Sequence, residues 1–161
     1  MAVYVNIYLP WACDDYYFRN DCKYVVPWRI SVSESRAPFR VFVVDDEFII
    51  ASTLATILQR SGFDAVSFTD PLEALLAAEQ QAPELLITDV VMPELSGIEL
   101  AIALRKLCPR CKVLLFSGQA ATANLLQAAR ANGHDFELLS KPIHPTDLLK
   151  KIRSVAEEVA A

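Results

Sequence analysis

Val43-Val44-Asp45-Asp46-Glu47 closes the first aliphatic run of the chain, and Leu86-Ile87-Thr88-Asp89 and Ser140-Lys141-Pro142 close two later ones. Aliphatic runs bounded by polar turn residues are typical of buried strands in a parallel sheet. Because ligand chemistry collects at the carboxyl ends of such strands, we expect three carboxylates and one ammonium group to meet in one crevice. Crowded carboxylates need a cation, and oxygen-only ligands favour Mg²⁺. The pattern therefore predicts a site that accepts a phosphoryl group on an aspartate.

Strand and helix signals alternate five times from Phe39 onward, which predicts a parallel sheet with helices on both faces. The expected strands cover residues 40–44, 65–68, 84–88, 112–116 and 136–139. Capping residues, first-turn prolines and a glycine stop mark the helix ends. The first expected helix buries Ile50, Leu54, Ile57 and Leu58 and ends at Gly62. The second starts at Asp70-Pro71-Leu72-Glu73, and the third runs from Ser96-Gly97-Ile98-Glu99 to Leu107. The fourth covers residues 120–131, and the last starts at Pro145.

The composition excludes several classes of protein. The 161 residues carry a net charge of −5, whereas a general nucleic-acid binder presents a basic surface. No stretch approaches the roughly 18 apolar residues of a membrane-spanning helix. A secretory signal has a basic region before its apolar residues, and this chain has none there. Four cysteines in a domain of this size do not require disulfides. We therefore expect a cytoplasmic protein that contacts neither nucleic acid nor a membrane directly.

The chain divides near Pro38 into an extension with its linker, residues 1–38, and a folded domain, residues 39–161. All five tyrosines and both tryptophans lie before residue 29, and residues 1–38 carry as many basic as acidic side chains. The role of the extension is unknown. It is a loosely attached tail, an aromatic arm that binds a partner, or upstream sequence included with the domain.

Residues 39–161 resemble the receiver domain of two-component response regulators, of the stand-alone kind found among chemotaxis regulators. The motifs that carry the resemblance are Asp45-Asp46, Asp89, Met92-Pro93 with Gly97, Ser117-Gly118 and Lys141-Pro142. The resemblance implies an α/β, flavodoxin-like fold: a five-stranded parallel sheet in the order 2-1-3-4-5 with helices on both faces. It also implies a Mg²⁺ cofactor and, as partners, a sensor histidine kinase or phosphotransfer protein and an unknown downstream protein.

The resemblance implies that Asp89 is the phosphoacceptor, which attacks a phosphohistidine of the partner. Asp46 and Asp89 would bind Mg²⁺ directly, Asp45 would bind it through water, and the backbone carbonyl of Val91 would add a ligand. The protein would therefore not be an enzyme with multiple turnovers, because its chemistry is limited to accepting the phosphoryl group and slowly losing it.

The resemblance also assigns the residues that contact or flank the phosphoryl group. Lys141 would pair with the phosphoryl oxygens, and Ser117 would donate a hydrogen bond to one of them only after phosphorylation, so that it can shift a two-state loop. Gly118, Gln119 and Pro142 flank the site, and the peptide bond before Pro142 is expected to be cis. Since nothing follows residue 161, we expect signalling through surface changes rather than through an output domain.

One position departs from the family pattern and keeps an alternative open. The family places Phe or Tyr three residues before the lysine, where this chain has Leu138. Phe136 lies two residues earlier, and an even offset along a strand keeps it on the same face. Leu138 thus supports the alternative of an interaction module on the same fold that works without phosphorylation.

Two further patterns in the sequence suggest other functions. Phosphatases resembling the haloacid dehalogenase class place an Asp-x-Asp after the first strand, whereas this chain has adjacent acids at Asp45-Asp46. Cys108-Pro109-Arg110-Cys111 has redox or metal-clip spacing, but it follows a helix and precedes a strand, unlike the thioredoxin motif. We therefore favour buried or turn cysteines, and a zinc site with Cys13 and Cys22 only if the extension folds back.

Overall fold

A computed structural model of the chain describes residues 38–118, 127, 129–131 and 133–160. The strands within these residues are β1 (Arg40–Val44), β2 (Asp64–Phe68), β3 (Leu85–Asp89), β4 (Lys112–Ser117) and β5 (Glu137–Ser140). The helices are α1 (Phe48–Arg60), α2 (Pro71–Gln80), α3 (Gly97–Leu107) and α4 (Pro145–Ala160). Of the helix expected over 120–131, residues 127 and 129–131 are described and are helical. The remainder of that helix, residues 1–37 of the extension and its linker, and Gln119 lie outside the described residues.

The strands of the described part form one parallel sheet in the order β2-β1-β3-β4-β5. The register places Val44 beside Thr88, Asp89 beside Phe116, and Ser117 beside Ser140. The carboxyl ends of the four strands that carry the predicted site or border it therefore lie at one edge of the sheet. The predicted fold class and strand order are confirmed.

Helices cover both faces of this sheet, as predicted. Ala55 and Leu58 of α1 share one apolar cluster with Leu148 and Ile152 of α4. Residues of α2 and α3 pack on the opposite face, and Ala74, Ala78, Leu100, Ala101 and Leu104 are their buried members. The described helices include none that is long and apolar enough to cross a membrane.

The buried face of α1 differs from the expected one. Its fully buried residues are Ala51, Ala55 and Leu58, whereas Ile50, Leu54 and Ile57 are only partly buried. The expectation followed the large aliphatic side chains and passed over the alanines. Alanines at the centre of the face leave the larger side chains at its margins.

Most predicted boundaries are within one residue of the structure. Gly62 has φ +93°, in the left-handed region, as a helix stop requires. The side chain of Asp70 accepts a hydrogen bond from the Leu72 N–H at 2.8 Å and Pro71 opens α2. The fifth strand begins at Glu137 rather than Phe136. Phe136 is nevertheless buried in the same apolar cluster as Leu115. Leu115 is the register partner of Leu138, so Phe136 and Leu138 lie on the same face of the sheet.

Candidate functional site

The ammonium group of Lys141 lies between two carboxylates at the carboxyl edge of the sheet. Its Nζ is 2.8 Å from Oδ2 of Asp45 and 2.9 Å from Oδ1 of Asp89. Asp45 follows β1 and Asp89 ends the neighbouring strand β3, while Lys141 follows β5 at the same edge of the sheet. The Lys141 side chain reaches both carboxylates. Three of the four charged residues that the sequence predicts to meet here therefore form one cluster.

The second oxygen of each carboxylate accepts a backbone hydrogen bond. Oδ1 of Asp45 accepts from the N–H of Glu47 at 3.0 Å, and Oδ2 of Asp89 accepts from the N–H of Val91 at 3.2 Å. The Asp45 side chain is only 4% exposed and that of Asp89 is 14% exposed. Pairing and hydrogen bonding of this kind offset the desolvation of a buried charge. The loops after β1 and β3 thus fix the orientation of both carboxylates.

The two carboxylates also act on the pKa of Lys141. Burial lowers the pKa of this ammonium, but the hydrogen bonds and negative charges of Asp45 and Asp89 outweigh burial and raise it above its ordinary value. Lys141 therefore carries a positive charge at neutral pH. A permanent compact cation beside Asp89 is suited to contact anionic oxygens that become attached to that carboxylate.

The end of β4 holds Lys141 in place through the backbone. The Lys141 N–H donates to the carbonyl oxygen of Ser117 at 2.8 Å, and the Lys141–Pro142 peptide bond is cis. Ser117 is buried at the end of β4, and Gly118 follows it at the surface. The predicted phosphoryl-contacting and flanking residues that the structure describes thus lie at the end of β4 and in the loops after β4 and β5.

The donor chemistry of the site fits a hard cation. Asp45 and Asp89 bring carboxylate oxygens to one point, and Asp46 and the Val91 backbone, both at the surface, adjoin them in sequence. All of these donors are oxygens, as Mg²⁺ prefers. Across the described ranges, no three His, Cys, Asp or Glu side chains are grouped closely enough to hold a metal ion together. The metal-binding role of Asp46 stays a prediction.

Gly97, the first residue of α3, approaches the backbone of Asp89 closely. A Cβ atom added at Gly97 would lie 1.8 Å from the Asp89 carbonyl oxygen and 3.0 Å from Oγ1 of Thr88. That hydroxyl donates to the same carbonyl oxygen at 3.1 Å, and the Gly97 N–H donates to the carbonyl of Val90 at 3.1 Å. The helix start is therefore packed directly against the peptide that carries the predicted phosphoacceptor.

The spacing of the family motifs identifies Gly97, but it indicates neither this packing nor the hydrogen bond of Thr88. The sequence does contain a signal for Thr88, because this residue places a hydroxyl between the aliphatic run Leu85-Leu86-Ile87 and Asp89. A buried hydroxyl must find an acceptor, and the nearest carbonyl supplies it. The close approach of Gly97 depends on tertiary structure and leaves no local pattern.

A capping box holds the start of α3. The Ser96 Oγ accepts from the Glu99 N–H at 3.3 Å and donates to Glu99 Oε2 at 2.7 Å, and the Ser96 N–H donates to the same carboxylate at 3.0 Å. These hydrogen bonds from the Ser96 side chain and then its backbone lower the pKa of Glu99. The capping box is therefore strongest when Glu99 is ionised.

We expect Ser96→Ala to lower the free energy of unfolding by about 1 kcal/mol at neutral pH. Because the pKa of Glu99 is lower in the folded state, its contribution is present above the unfolded value of 4.5 and is lost as pH falls through the folded value. The difference between the wild type and Ser96→Ala should therefore shrink in acid. Urea unfolding at neutral and acidic pH measures it, and a difference that grows in acid would contradict the assignment.

Comparison with known proteins gives consistent matches over the described domain. A family model described as "Response regulator receiver domain" matches residues 41–153. The chain is 30% identical over 124 residues to the alkaline phosphatase synthesis transcriptional regulatory protein PhoP of Bacillus subtilis, covering 76% of this chain and 51% of PhoP. It is 27% identical over 119 residues to the chemotaxis protein CheY of Thermotoga maritima, covering 73% of this chain and 98% of that protein.

A solved structure has the same fold. The CheY-like response regulator receiver domain protein from Methanospirillum hungatei superposes with a TM-score of 0.69 at 27% identity, covering 77% of this chain and 98% of that one. The chain spans about half the length of the transcriptional regulators it matches. The similarity to those regulators thus concerns one part of each of them.

Proposed function

The chain belongs to the response regulator receiver family, and on that premise we propose that it accepts a phosphoryl group on Asp89 from a histidine kinase or phosphotransfer protein in a Mg²⁺-dependent reaction. The observation that carries the proposal is the contact of one ammonium group, that of Lys141, with both Asp45 and Asp89. A solvated turn or helix cap has no need of such an arrangement. A site for anionic phosphoryl oxygens needs it.

In the proposed reaction a carboxylate oxygen of Asp89 attacks the phosphorus of a phosphohistidine. The oxygen–phosphorus bond forms as the phosphorus–nitrogen bond breaks, and the histidine ring leaves with the electron pair of that bond. Because the protein provides mainly position and charge in phosphoryl transfer, the orientation of the carboxylate matters most. The hydrogen bond from the Val91 N–H to Asp89 and the packing of Gly97 support that orientation.

Lys141 and Mg²⁺ would both neutralise the negative charge of the phosphoryl group. Lys141 already contacts Asp89, so its ammonium can pair with phosphoryl oxygens after only a small shift. Asp45, Asp46, Asp89 and the Val91 carbonyl would hold Mg²⁺, which when bound neutralises negative charge on the transferring group. We propose that the chain is a stoichiometric acceptor that loses its phosphoryl group slowly, rather than an enzyme that turns over a free substrate.

Signalling in this proposal depends on Ser117. Its hydroxyl would donate to a phosphoryl oxygen on Asp89, a contact that exists only in the phosphorylated state. The Ser117 carbonyl already binds the Lys141 N–H, so movement of this residue affects the loops after both β4 and β5. A downstream partner would read the changed surface of these loops.

We expect incubation with Mg²⁺ and acetyl phosphate to add one phosphoryl group per chain, measured by intact mass. Asp89→Asn should abolish the addition because it removes the nucleophile, and EDTA should prevent it. Asp147→Asn, which changes an exposed carboxylate in the first turn of α4, should leave it intact. An unchanged mass in the wild type, or an added phosphoryl group in Asp89→Asn, would reject the proposal.

The same variant distinguishes the alternative function. An interaction module that works without phosphorylation binds its partner equally well in the wild type and in Asp89→Asn. Its support is Leu138, which is 38% exposed on β5 and replaces the aromatic residue of the family pattern. Partner binding that increases with acetyl phosphate in the wild type alone favours the receiver.

A further inference from the structure

The connection between α3 and β4 is a tight turn with a cysteine at each end. The Cys111 N–H donates to the carbonyl oxygen of Cys108 at 3.0 Å, which closes the four-residue turn 108–111. In such turns the first and fourth Cα atoms lie within about 7 Å. Disulfides join cysteines whose Cα atoms are about 4.4–6.8 Å apart. The backbone thus places these two cysteines within the range that a disulfide bridges.

The two thiols differ in exposure but share one environment. Both are free, Cys108 is partly exposed, and Cys111 is 3% exposed. Cys111 belongs to the apolar cluster beneath α3, and Cys108 packs against that cluster. Both also line one surface cavity of about 510 Å³, which opens a route to small solutes. An accessible cysteine followed by a buried one suits a two-step thiol exchange.

We propose that Cys108 and Cys111 form a reversible disulfide by exchange with a low-molecular-weight disulfide. The Cys108 thiolate attacks one sulfur of that disulfide, forms a mixed disulfide and releases one thiolate. The Cys111 thiolate then attacks Cys108 Sγ, forms the internal disulfide and releases the second thiolate. The two protons of the cysteines pass to the released thiolates, so the protein loses two electrons and two protons and the small disulfide gains them.

The burial of the two thiols predicts that the disulfide exchange is slow and that base accelerates it. Burial raises the pKa of Cys108. Burial is also the main cause that raises the pKa of Cys111 to about 12, and the charge of the nearby Cys108 adds to it. The facing charges have opposite effects, since Arg105 lowers the pKa of Cys111 and Glu84 raises it. Because the thiolate is the attacking species, the rate should rise about tenfold from about pH 7 to about pH 8.

This disulfide is separate from the predicted phosphoryl site. Lys112, which follows Cys111, pairs with Leu85 at the amino end of β3, whereas Asp89 pairs with Phe116 at the other end. Four residue-to-residue steps along β3 separate the two ends, a distance of about 13 Å. Oxidation at the turn and phosphoryl uptake on Asp89 are therefore independently measurable, and the inference does not rest on the proposed function.

The test uses the full chain with Cys13→Ser and Cys22→Ser, which leaves two cysteines, incubated with oxidised glutathione. We expect the intact mass to fall by two hydrogen atoms, reversal by dithiothreitol, and a peptide that links Cys108 to Cys111 in tandem mass spectra. Adding Cys111→Ser should trap glutathione on Cys108. Adding Cys108→Ser should leave the buried Cys111 largely unmodified over the same period.

Circular dichroism establishes that each variant is folded. A stable glutathione adduct on Cys108 in the protein that retains both cysteines would overturn the proposal, because Cys111 would then fail to resolve it. Two unreacted thiols after incubation at alkaline pH would overturn it as well. So would faster modification of the Cys108→Ser protein than of the Cys111→Ser protein, since the order of attack requires the opposite.

Discussion

Gly97→Ala is expected to lower the free energy of unfolding by about 3 kcal/mol or more, which is large for the addition of one methyl group. The added Cβ would lie 1.8 Å from the carbonyl oxygen of Asp89 and 2.9 Å from its carbonyl carbon. These are backbone atoms of β3, so relief requires that α3 or the strand end moves. Either movement also displaces the Asp89 carboxylate. Urea unfolding measures the loss of stability, and acetyl phosphate labelling measures the loss of phosphoryl uptake.

Gly118→Ala is the matched control for this substitution. A Cβ at Gly118 would find its nearest neighbour, the Cβ of Lys141, at 3.8 Å, an ordinary contact. We expect its stability to remain within about 0.5 kcal/mol of the wild type. Similar stabilities for the two alanine variants would show that α3 does not start against the Asp89 peptide as described.

Lys141→Met is expected to destabilise the protein by about 2 kcal/mol in the presence of EDTA, because it leaves two carboxylates without their shared cation. Asp45 and Asp89 are largely buried, so water compensates only in part. The Lys141 side chain is 25% exposed, which keeps the effect below that of a fully buried pair. Phosphoryl uptake from acetyl phosphate should fall as well, since the cation beside Asp89 is gone.

Two further variants identify the cause of the Lys141 effect. Lys151→Met removes a lysine from an exposed pair with Glu137 and should cost less than about 1 kcal/mol. The double variant Asp45→Asn/Lys141→Met removes one negative charge together with the cation, so it should be more stable than Lys141→Met alone. A double variant that is less stable than the single one would exclude charge repulsion as the cause.

The parts of the fold that could be predicted from the sequence follow local rules. Apolar runs marked the strands, and the Ser96–Glu99 capping box and the Asp70 cap marked the starts of α3 and α2 exactly where the structure has them. The meeting of Asp45, Asp89 and Lys141 followed from one topological rule, that polar residues after parallel strands share an edge. The resemblance to receivers then gave the strand order.

The parts that could not be predicted depend on tertiary packing. The buried face of α1 is centred on Ala51 and Ala55, which a reading of large aliphatic residues overlooks. The contact of Gly97 with the Asp89 peptide depends on the angle at which α3 meets β3. Of the adjacent acids Asp45 and Asp46, Asp45 is the one that faces Lys141, and the metal-binding role expected of Asp46 stays a prediction. Adjacent acids point in different directions at a strand end, and only the loop conformation decides which one turns inward.

The Lys141–Asp45 ion pair joins residues 96 positions apart and has a consequence for biosynthesis. Contacts of such long sequence separation raise contact order and form late, since the intervening chain must first be ordered. A nascent chain cannot complete this ion pair until residue 141 has left the ribosome. Until then the Asp45 and Asp89 carboxylates lack their lysine, and the shorter nascent chain does not yet hold the complete charged cluster.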